Sequence, residues 1–473
     1  FSLFVILGSL NDVLKLIIVI QFKFYLLLGG RRFVVREMML ILFILGVVLF
    51  IKSSNCSSPI IISRLESIET NIEINYSFPQ IDPDILEDAK LTTPQLITKY
   101  GYQSEIHHVT TEDGYILELH RIVGGSKSPA RKGKKVVFLQ HGLLDSSATW
   151  VLTRPNHALG YLLADKDYDV WLGNSRGNTY SCNHTKYNPF GSSSDRKHFW
   201  SFSWHQIGIY DLPATIDYIL NQTRVSQLQF IGHSQGTTAF YVMSSQKPAY
   251  LSKVNIMHAL APVAFMSHVE SPPIRLIAPF VSALGTISSW LGIYDITPSN
   301  AFIKMAGEEL CRDKAVTQDV CKNLLFLIMG YTSDQLNTTL LPVYLGHSPA
   351  GSATDQLLHY GQEVNSGHFR QFDFGYIRNL IYYKSLSPPE YDLKNIRIPV
   401  AVYYAQNDWL ATVKDVEHLI NILPNVVQTY LVPHKKFNHI DFLWGIDAPT
   451  LLYAAIFKIM DITESKEFEN MIL

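Results

Sequence analysis

The feature that most limits how this chain can fold is an alternation of short apolar runs with helix-length segments. Segments such as 204–220 and 235–245 are long enough for helices. Strand, helix and strand in this order predict an α/β fold with a mostly parallel central sheet and helices on both faces. Six runs rich in β-branched and aromatic residues are typical of buried parallel strands: 135–140, 168–172, 228–232, 255–260, 399–405 and 427–432.

The alternation stops between residues 265 and 394, a stretch rich in Pro, Ser and short amphipathic segments such as 274–291 and 321–329. Strand-like runs resume near Ile398, so this stretch is not a separate C-terminal domain. We interpret it as an inserted, mainly helical cap over the carboxyl ends of the strands, where open α/β sheets bind ligands. The core is then predicted to comprise residues 55–264 and 395–473.

The N-terminal region differs in composition from the rest of the chain. The first methionine is Met38, and we interpret residues 1–37 as an upstream extension outside the fold, the alternative being a genuine fragment. Fourteen uncharged residues follow at 38–51, fewer than the ~20 needed to span a bilayer. They predict a signal peptide at 38–54. A membrane anchor is the alternative, because 3–28 is a second hydrophobic stretch, although charged residues interrupt it.

Glycosylation triplets and cysteines bear on the compartment. N-x-S/T triplets that lack proline in the middle begin at Asn55, Asn75, Asn183, Asn221 and Asn337. We keep Asn75, Asn183, Asn221 and Asn337 as candidate glycosylation sites and predict a secreted or lysosomal protein. An oxidising compartment would let Cys311 and Cys321 close a short loop, the alternative being two buried free thiols. Cys56 and Cys182 have no evident partner.

Composition excludes some classes of partner. Thirty-nine Lys and Arg residues against 41 Asp and Glu give a net charge of -2, with no dense basic run. Nucleic acid is therefore not an expected partner. The four cysteines include no C-x-x-C pair and no histidine pairing of the zinc-finger type. We expect no metal site and no organic cofactor.

The pattern G-x-S-x-G occurs twice, around Ser175 and around Ser234. The pattern exposes a nucleophilic serine only where a sharp turn joins a strand to a helix. Both copies follow a predicted strand, but no helical periodicity follows Ser175, whereas residues 237–245 can continue as a helix. We therefore predict Ser234 as the nucleophile and Ser175 as a structural loop residue.

A serine hydroxyl needs a base, and the base needs a carboxylate to orient it. In this type of fold the chain order is serine, acid, histidine. Asp408 follows the apolar run 399–405 and is the predicted acid, its alternative role being a turn or helix cap. His434 and His439 both follow the last predicted strand. Spacing favours His439, because His434 comes directly after the strand end, but it leaves both open.

Ester hydrolysis also needs N–H donors for the oxyanion. The residue after the nucleophile supplies one such donor, here Gln235, and a loop after an early strand supplies the other. The segment 140–145 occupies that loop position, and within it we choose the backbone N–H of Leu143. His141 precedes a glycine turn and is interpreted as shaping the loop rather than acting as a second base.

Several separate motifs in this chain resemble those of the acid lipase family, which includes gastric and lysosomal acid lipases. The likeness extends over about 79–459. The resemblance implies an α/β-hydrolase fold with a cap that contains a lid. It also implies hydrolysis of triacylglycerol or cholesteryl esters. The matching segments are 109–117, 140–144, 173–177, 210–217 and 232–236.

Carried over by position, the resemblance implies a catalytic triad of Ser234, Asp408 and His439, with oxyanion donors Leu143 and Gln235. It thereby selects His439 over His434. It further implies that Cys311 and Cys321 form the family's cap disulfide.

The function expected is that of a serine lipase acting on neutral lipids at a lipid–water interface, with no integral membrane span in the mature protein. One alternative is a carboxylesterase that uses the same residues on smaller esters. Another is a catalytically silent lipid carrier on the same fold. The presence of Ser234, Asp408 and His439 argues against a carrier, which has no need of them.

Overall fold

The computed structural model describes residues 82–296, 326–331 and 334–463. Its main sheet has eight strands in the order β1-β2-β4-β3-β5-β6-β9-β10. β2 pairs antiparallel with β1 and β4, and every other neighbouring pair is parallel. The strands are β1 (Gln103–Thr110), β2 (Ile116–Gly124), β3 (Lys135–Gln140), β4 (Tyr168–Leu172), β5 (Leu228–His233), β6 (Val254–Leu260), β7 (Asp295–Ile296), β8 (Ser352–Ala353), β9 (Val400–Tyr404) and β10 (Val426–Leu431).

The helices follow the strands in the alternation that the sequence predicts. They are α1 (Pro83–Asp88), α2 (Thr93–Lys99), α3 (Leu159–Asp165), α4 (Ser193–Phe199), α5 (Trp204–Gln206), α6 (Leu212–Thr223), α7 (Gln235–Gln246), α8 (Pro272–Ile277), α9 (Val281–Leu291), α10 (Leu341–His347), α11 (Thr354–Ser366), α12 (Tyr376–Tyr383), α13 (Val413–Ile422), α14 (Asp441–Trp444) and α15 (Ala454–Thr463). Short 3₁₀ turns lie at Ser147–Trp150, Pro248–Lys253, Ala278–Phe280, Thr338–Leu340 and Leu393–Asn395, and π-helical turns at Ile207–Asp211 and Pro449–Tyr453.

All six predicted strands are present, each within one residue of the predicted limits at either end. β4 and β5 are buried along their whole length, because helices cover both faces of a parallel sheet. β10 differs from the prediction of a buried strand. It is the last strand of the sheet, and its residues are half-buried or exposed.

The antiparallel pair β1 and β2 was not predicted as strands. β1 lies at the sheet edge and alternates exposed with partly buried residues, including two histidines. An edge strand with one solvated face carries polar residues that a search for continuous apolar runs misses. The turn between the strands is closed by a hydrogen bond from Thr111 N–H to the Tyr115 carbonyl, 2.8 Å.

The predicted helix at 204–220 is present but contains a π-helical turn at Ile207–Asp211. α6 begins directly after this turn and has Pro213 in its first turn. Proline has no amide hydrogen to donate within a helix, and a widened turn accommodates the missing bond. The predicted helix at 235–245 is α7, which extends to Gln246.

The cap lies between β6 and β9 and contains α8 to α12 with the small pair β7 and β8. α11 rests on the helix that follows Ser234. The Gln235 side chain donates to Gln356 Oε1 at 2.7 Å, and the hydroxyls of Tyr360 and Thr238 are 3.0 Å apart. The cap is therefore in direct contact with the end of the sheet at which Ser234 lies.

Several sequence predictions fall outside the described residues. They are the upstream extension, the signal peptide, Asn75, and the pair Cys311 and Cys321. Cys182 lies within the described part of the chain, where it is a partly buried free thiol.

Arg176, from the first G-x-S-x-G copy, is a buried guanidinium that joins three segments of the chain. It bonds Asp113 in the β1–β2 turn, with contacts of 2.6 and 2.9 Å. It also bonds Asp211, which precedes α6, through Nε at 2.7 Å and through its own backbone N–H at 3.0 Å. Its guanidinium carbon lies 3.9 Å from the Tyr115 ring centroid. Charge pairing, hydrogen bonding and a cation–π contact thus compensate the burial of this cation.

We predict that Arg176→Met lowers the free energy of unfolding by roughly 3–5 kcal/mol, because it leaves the buried Asp211 carboxylate without its cation. Urea unfolding followed by tryptophan fluorescence measures this loss. Arg131→Met is the matched control, since Arg131 pairs with Asp167 at an exposed position and its loss should cost about 1 kcal/mol or less. Equal losses in the two variants would contradict the prediction.

Candidate active site

Ser234 sits on a sharp turn between β5 and α7. Its backbone has φ 51° and ψ −118°, a left-handed conformation that is strained for a residue with a side chain. α7 begins so close to the end of β3 that only hydrogen fits at Gly236, where a Cβ would lie 2.3 Å from the Gln140 carbonyl oxygen. This geometry lifts the serine side chain out of the sheet, as the strand–turn–helix motif requires.

His439 lies between Ser234 and Asp408. Its Nε2 is 2.8 Å from Ser234 Oγ, and its Nδ1 is 2.8 Å from Asp408 Oδ2. A carboxylate only accepts hydrogen bonds, so Nδ1 carries the proton and Nε2 is free to accept from the serine hydroxyl. Asp408 Oδ1 accepts from the backbone N–H groups of Leu410 and Ala411, at 2.9 and 2.8 Å. Asp408 therefore both caps its own turn and orients the histidine.

The loop after β3 packs directly against Ser234. A Cβ on Gly142, the residue before Leu143, would lie 3.1 Å from Ser234 Cβ. Within the described residues, neither Leu143 N–H nor Gln235 N–H donates to a protein acceptor. Both groups are thus free to bind an oxygen atom of a ligand.

His141 shapes this loop. Burial lowers its pKa to about 4, so the ring is neutral near pH 7. Its Nδ1 is 2.7 Å from the Gly142 carbonyl oxygen, and its Nε2 accepts from Ser175 N–H at 3.0 Å. Both ring nitrogens are occupied by these contacts.

The two rejected candidates lie elsewhere. Ser175 is buried and accepts from Gln140 Nε2 at 2.9 Å, and no histidine of the described residues bonds its hydroxyl. His434 Nε2 is 3.4 Å from Asp334 Oδ2. The structure therefore groups Ser234, His439 and Asp408 in one hydrogen-bonded row and leaves Ser175 and His434 outside it.

His233 is a site residue that the sequence analysis did not single out. It is buried, its Nε2 lies 3.0 Å from the His439 carbonyl oxygen, and burial lowers its pKa well below the ordinary value. A neutral ring that donates to this carbonyl holds the backbone of the histidine that faces Ser234. Its position in G-x-S-x-G accepts any residue, so the motif gave no signal.

Asn438 and Asp441 form a reciprocal pair around His439. Asn438 N–H donates to Asp441 Oδ2 at 2.8 Å, and Asp441 N–H donates to Asn438 Oδ1 at 3.2 Å. This arrangement closes the turn that leads into α14. The spacing of three between the two polar residues could have revealed it in the sequence. Burial raises the pKa of the Asp441 carboxyl to about 8.

No group of three or more His, Cys, Asp or Glu side chains with metal-binding geometry occurs within 82–296, 326–331 and 334–463. The expectation of a metal-free, cofactor-free site stays a prediction.

Comparison with known proteins identifies the family. A model described as a partial alpha/beta-hydrolase lipase region matches residues 93–154, and one described as the alpha/beta hydrolase fold matches 135–446. Lipase 1 of Drosophila melanogaster is 44% identical over 80% of this chain and 81% of its own length. Bovine gastric triacylglycerol lipase is 40% identical, covering 79% and 92%. The human lysosomal acid lipase/cholesteryl ester hydrolase is 39% identical, covering 80% and 92%.

The chain belongs to the acid lipase family. Membership makes it a carboxylic ester hydrolase. Among solved structures, a protein from Sulfolobus solfataricus superimposes with a TM-score of 0.51 at 14% identity, covering 76% of this chain and 94% of the other. That likeness shows the α/β-hydrolase fold alone.

For this acid lipase we predict that Asp441→Asn flattens the dependence of stability on pH. The folded chain keeps the Asp441 proton up to about pH 8, whereas the unfolded chain releases it near the ordinary value of 3.8. Stability from this group is therefore lost as pH rises between these values. Asparagine keeps the acceptor for Asn438 N–H and cannot ionise.

Urea unfolding at pH 5 and pH 8 measures the effect. The wild type should lose more stability between the two than Asp441→Asn does, since all other titrating groups are common to both proteins. Parallel losses would refute the assignment of a neutral Asp441.

Proposed function

We propose that this chain is a serine lipase that hydrolyses the ester bonds of neutral lipids through an acyl-enzyme. The observation that carries the proposal is the row of two 2.8 Å hydrogen bonds from Ser234 through His439 to Asp408, at a strained strand–helix turn. A lipid carrier would have no use for such a row.

In the proposed mechanism Ser234 Oγ attacks the ester carbonyl carbon while His439 Nε2 takes the hydroxyl proton. Asp408 holds the imidazole by Nδ1 and stabilises the imidazolium. The N–H groups of Leu143 and Gln235 bind the oxyanion of the tetrahedral intermediate. Collapse releases the alcohol, which takes the proton from His439. Water activated by His439 then cleaves the acyl-enzyme and releases the fatty acid.

The proposed substrates are triacylglycerols and, as a second class, cholesteryl esters. The support is the name of the bovine relative, a gastric triacylglycerol lipase, and that of the human relative, a lysosomal acid lipase/cholesteryl ester hydrolase. The mechanism above balances with the chain's own groups and water, so it calls for no metal or organic cofactor.

We further propose that the protein enters the secretory pathway, as its gastric and lysosomal relatives suggest. Asn183 and Asn221 are exposed and Asn337 is half-buried, so the first two are readily accessible to glycosylation. The cap disulfide between Cys311 and Cys321 belongs to the same proposal, since it requires an oxidising compartment.

Hydrolysis of emulsified triolein by the secreted protein, across pH 4 to 8, tests the function. Ser234→Ala should lower the turnover rate about a thousandfold or more, because the nucleophile is removed. Ser175→Ala is the matched control: it alters the serine of the other G-x-S-x-G copy and should keep the rate within about tenfold, since the Ser175 hydroxyl bonds Gln140 and the Ser175 N–H that bonds His141 belongs to the backbone.

A wild-type protein that is folded but inert on triolein and active on short soluble esters would indicate a carboxylesterase. Inertness on both substrates would overturn the enzymatic proposal in favour of lipid carriage. A rate that falls equally in both serine variants would show that Ser234 has no special role.

We also predict that Asp408→Asn lowers turnover of a soluble butyrate ester about 10⁴-fold, because asparagine favours the wrong imidazole tautomer. Asp441→Asn, an equally buried aspartate next to the same histidine, should stay within about tenfold of the wild type, because Asp441 accepts from backbone rather than from the ring. Initial rates with active-site titration measure both. Similar losses in the two variants would contradict the role of Asp408.

A further inference from the structure

α12, in the cap, turns its apolar residues outward. Tyr376 and Ile377 are 77% and 78% exposed, and Ile381, one turn beyond Ile377, is 60% exposed. Leu380 between them is half exposed. The residues 376–383 therefore present a continuous apolar face to the outside of the protein, which we call the outer face of α12.

The inward side of the same helix carries the polar groups of Asn379 and Tyr383. Asn379 is buried, and its amide is fully bonded: it accepts from Phe374 N–H at 2.9 Å and donates to Asp373 Oδ1 and the Leu386 carbonyl at 2.8 and 3.0 Å. Tyr383, one turn later, donates its hydroxyl to the Phe372 carbonyl at 2.9 Å. These bonds fix which side of α12 faces inward.

This orientation is the reverse of that in an ordinary surface helix, whose apolar stripe packs on the core. Apolar surface left in water is unfavourable, and contiguous exposed patches of this kind mark contacts with a partner or a membrane. The outer face of α12 is therefore suited to an apolar surface that is not part of the described chain.

The position of α12 connects this face to the active site. Asp373, whose side chain accepts from Asn379, is held by Gln362 on α11. The Asp373 N–H donates to Gln362 Oε1 at 2.8 Å, and Gln362 Nε2 donates to the Asp373 carbonyl at 2.9 Å. The same helix α11 carries Gln356, which bonds the side chain of Gln235 next to the nucleophile. α11 thus links the segment that carries the outer face of α12 to the residue next to the nucleophile.

A second exposed apolar residue flanks α11. Trp290, near the end of α9, is 83% exposed. The segment that follows α9 is tied to the first residue of α11 by a 2.9 Å hydrogen bond from Thr354 N–H to the Tyr294 carbonyl. Apolar side chains therefore extend outward from elements on either side of the helix that touches Gln235.

The charges near the outer face fit an anionic lipid surface. Residues 374–389 contain Arg378 and Lys384 but no acidic residue; Asp373 and Glu390 border this segment, and Asp355 lies within electrostatic range of Arg378. The Arg378 and Lys384 side chains bond backbone carbonyls of their own segment, and neither forms an ion pair with another described residue. Tyrosines and cations around an aliphatic face are the composition of helices that lie in a membrane interface.

A second copy of this chain fits less well. A twofold interface through the outer face would bring the same patch of each copy together, and with it the two cations of each patch. Like charges at such a contact are repulsive. A lipid surface has no such conflict.

The apolar stretch Pro272–Leu291 meets the length and composition criteria for a membrane span, although little of it is buried. A single crossing there would place β6 and β9 on opposite sides of a bilayer, whereas they pair within one sheet. Its apolar surface is thus better suited to contact at a lipid surface than to spanning one.

We propose that the outer face of α12 is the lipid anchor of this enzyme, inserting Ile377, Leu380 and Ile381 into an anionic lipid surface while Arg378 and Lys384 remain at the headgroups. The purpose of this anchor rests on the proposed lipase function. The binding itself does not require catalysis.

Sedimentation with phosphatidylcholine vesicles that contain about one fifth phosphatidylglycerol tests the anchor. The full chain carrying Ser234→Ala is used, so that no lipid is hydrolysed. Adding Ile377→Gln and Ile381→Gln should lower the partition coefficient about tenfold, because two side chains lose their burial in lipid. Raising the salt concentration should also weaken binding, because the headgroup attraction is screened.

The matched control is Ile106→Gln, at an exposed isoleucine 52% accessible on β1. It should leave the partition coefficient unchanged. Turnover of a soluble butyrate ester, measured with Ser234 restored, should be within about twofold of the wild type in the double variant, which shows that fold and site are intact.

Unchanged partition in the double variant, or an equal drop in Ile106→Gln, would overturn the anchor. So would a wild-type dimer in solution that the double variant converts to a monomer, because a second copy would then cover the face. Inertness of the wild type on all esters would remove the lipase proposal but leave the vesicle result valid, so the two failures are distinguishable.

Discussion

The interaction on which the arrangement of the site depends is the buried guanidinium of Arg176. Asp113 and Asp211 hold it from two distant parts of the chain, which fixes the loop that contains Ser175. The Ser175 N–H in turn bonds His141, which sets the conformation of the loop carrying Leu143. A structural ion cluster thus supports the loop of Leu143, the proposed oxyanion donor. This explains why the first G-x-S-x-G copy matters to a site in which its serine takes no part.

The backbone strain at Ser234 is tolerated because hydrogen bonds on both sides of the residue hold the turn. Ser234 N–H donates to the Leu260 carbonyl of β6 at 3.0 Å, and the Ser234 carbonyl accepts from Thr237 N–H at 2.9 Å as α7 begins. A left-handed non-glycine residue costs of order 1–3 kcal/mol. The parallel sheet and its buried helix offset that cost, so the strain is retained where it exposes the hydroxyl to His439.

The sequence predicted what repeats along the chain and missed what depends on distant contacts. Strands such as β5 are buried on both faces and leave a continuous apolar run, and the helix after Ser234 distinguished it from Ser175. Spacing could not separate His434 from His439, because both follow β10. The choice became clear through the family resemblance, and the structure places only His439 beside Ser234. His233 left no trace, since its role arises from the His439 carbonyl more than 200 residues away.

The orientation of α12 shows the same limit most sharply. The segment 376–383 has the apolar content of a core helix, and periodicity identifies its faces without saying which one is inside. The structure shows which: the buried amide of Asn379 bonds Asp373 and Leu386, and Ile377 lies on the exposed side. The buried polar network keeps the aliphatic face of α12 on the outside. That face contributes to stability only when another apolar surface covers it. Under the proposed lipase function, that cover and the substrate would come from the same surface.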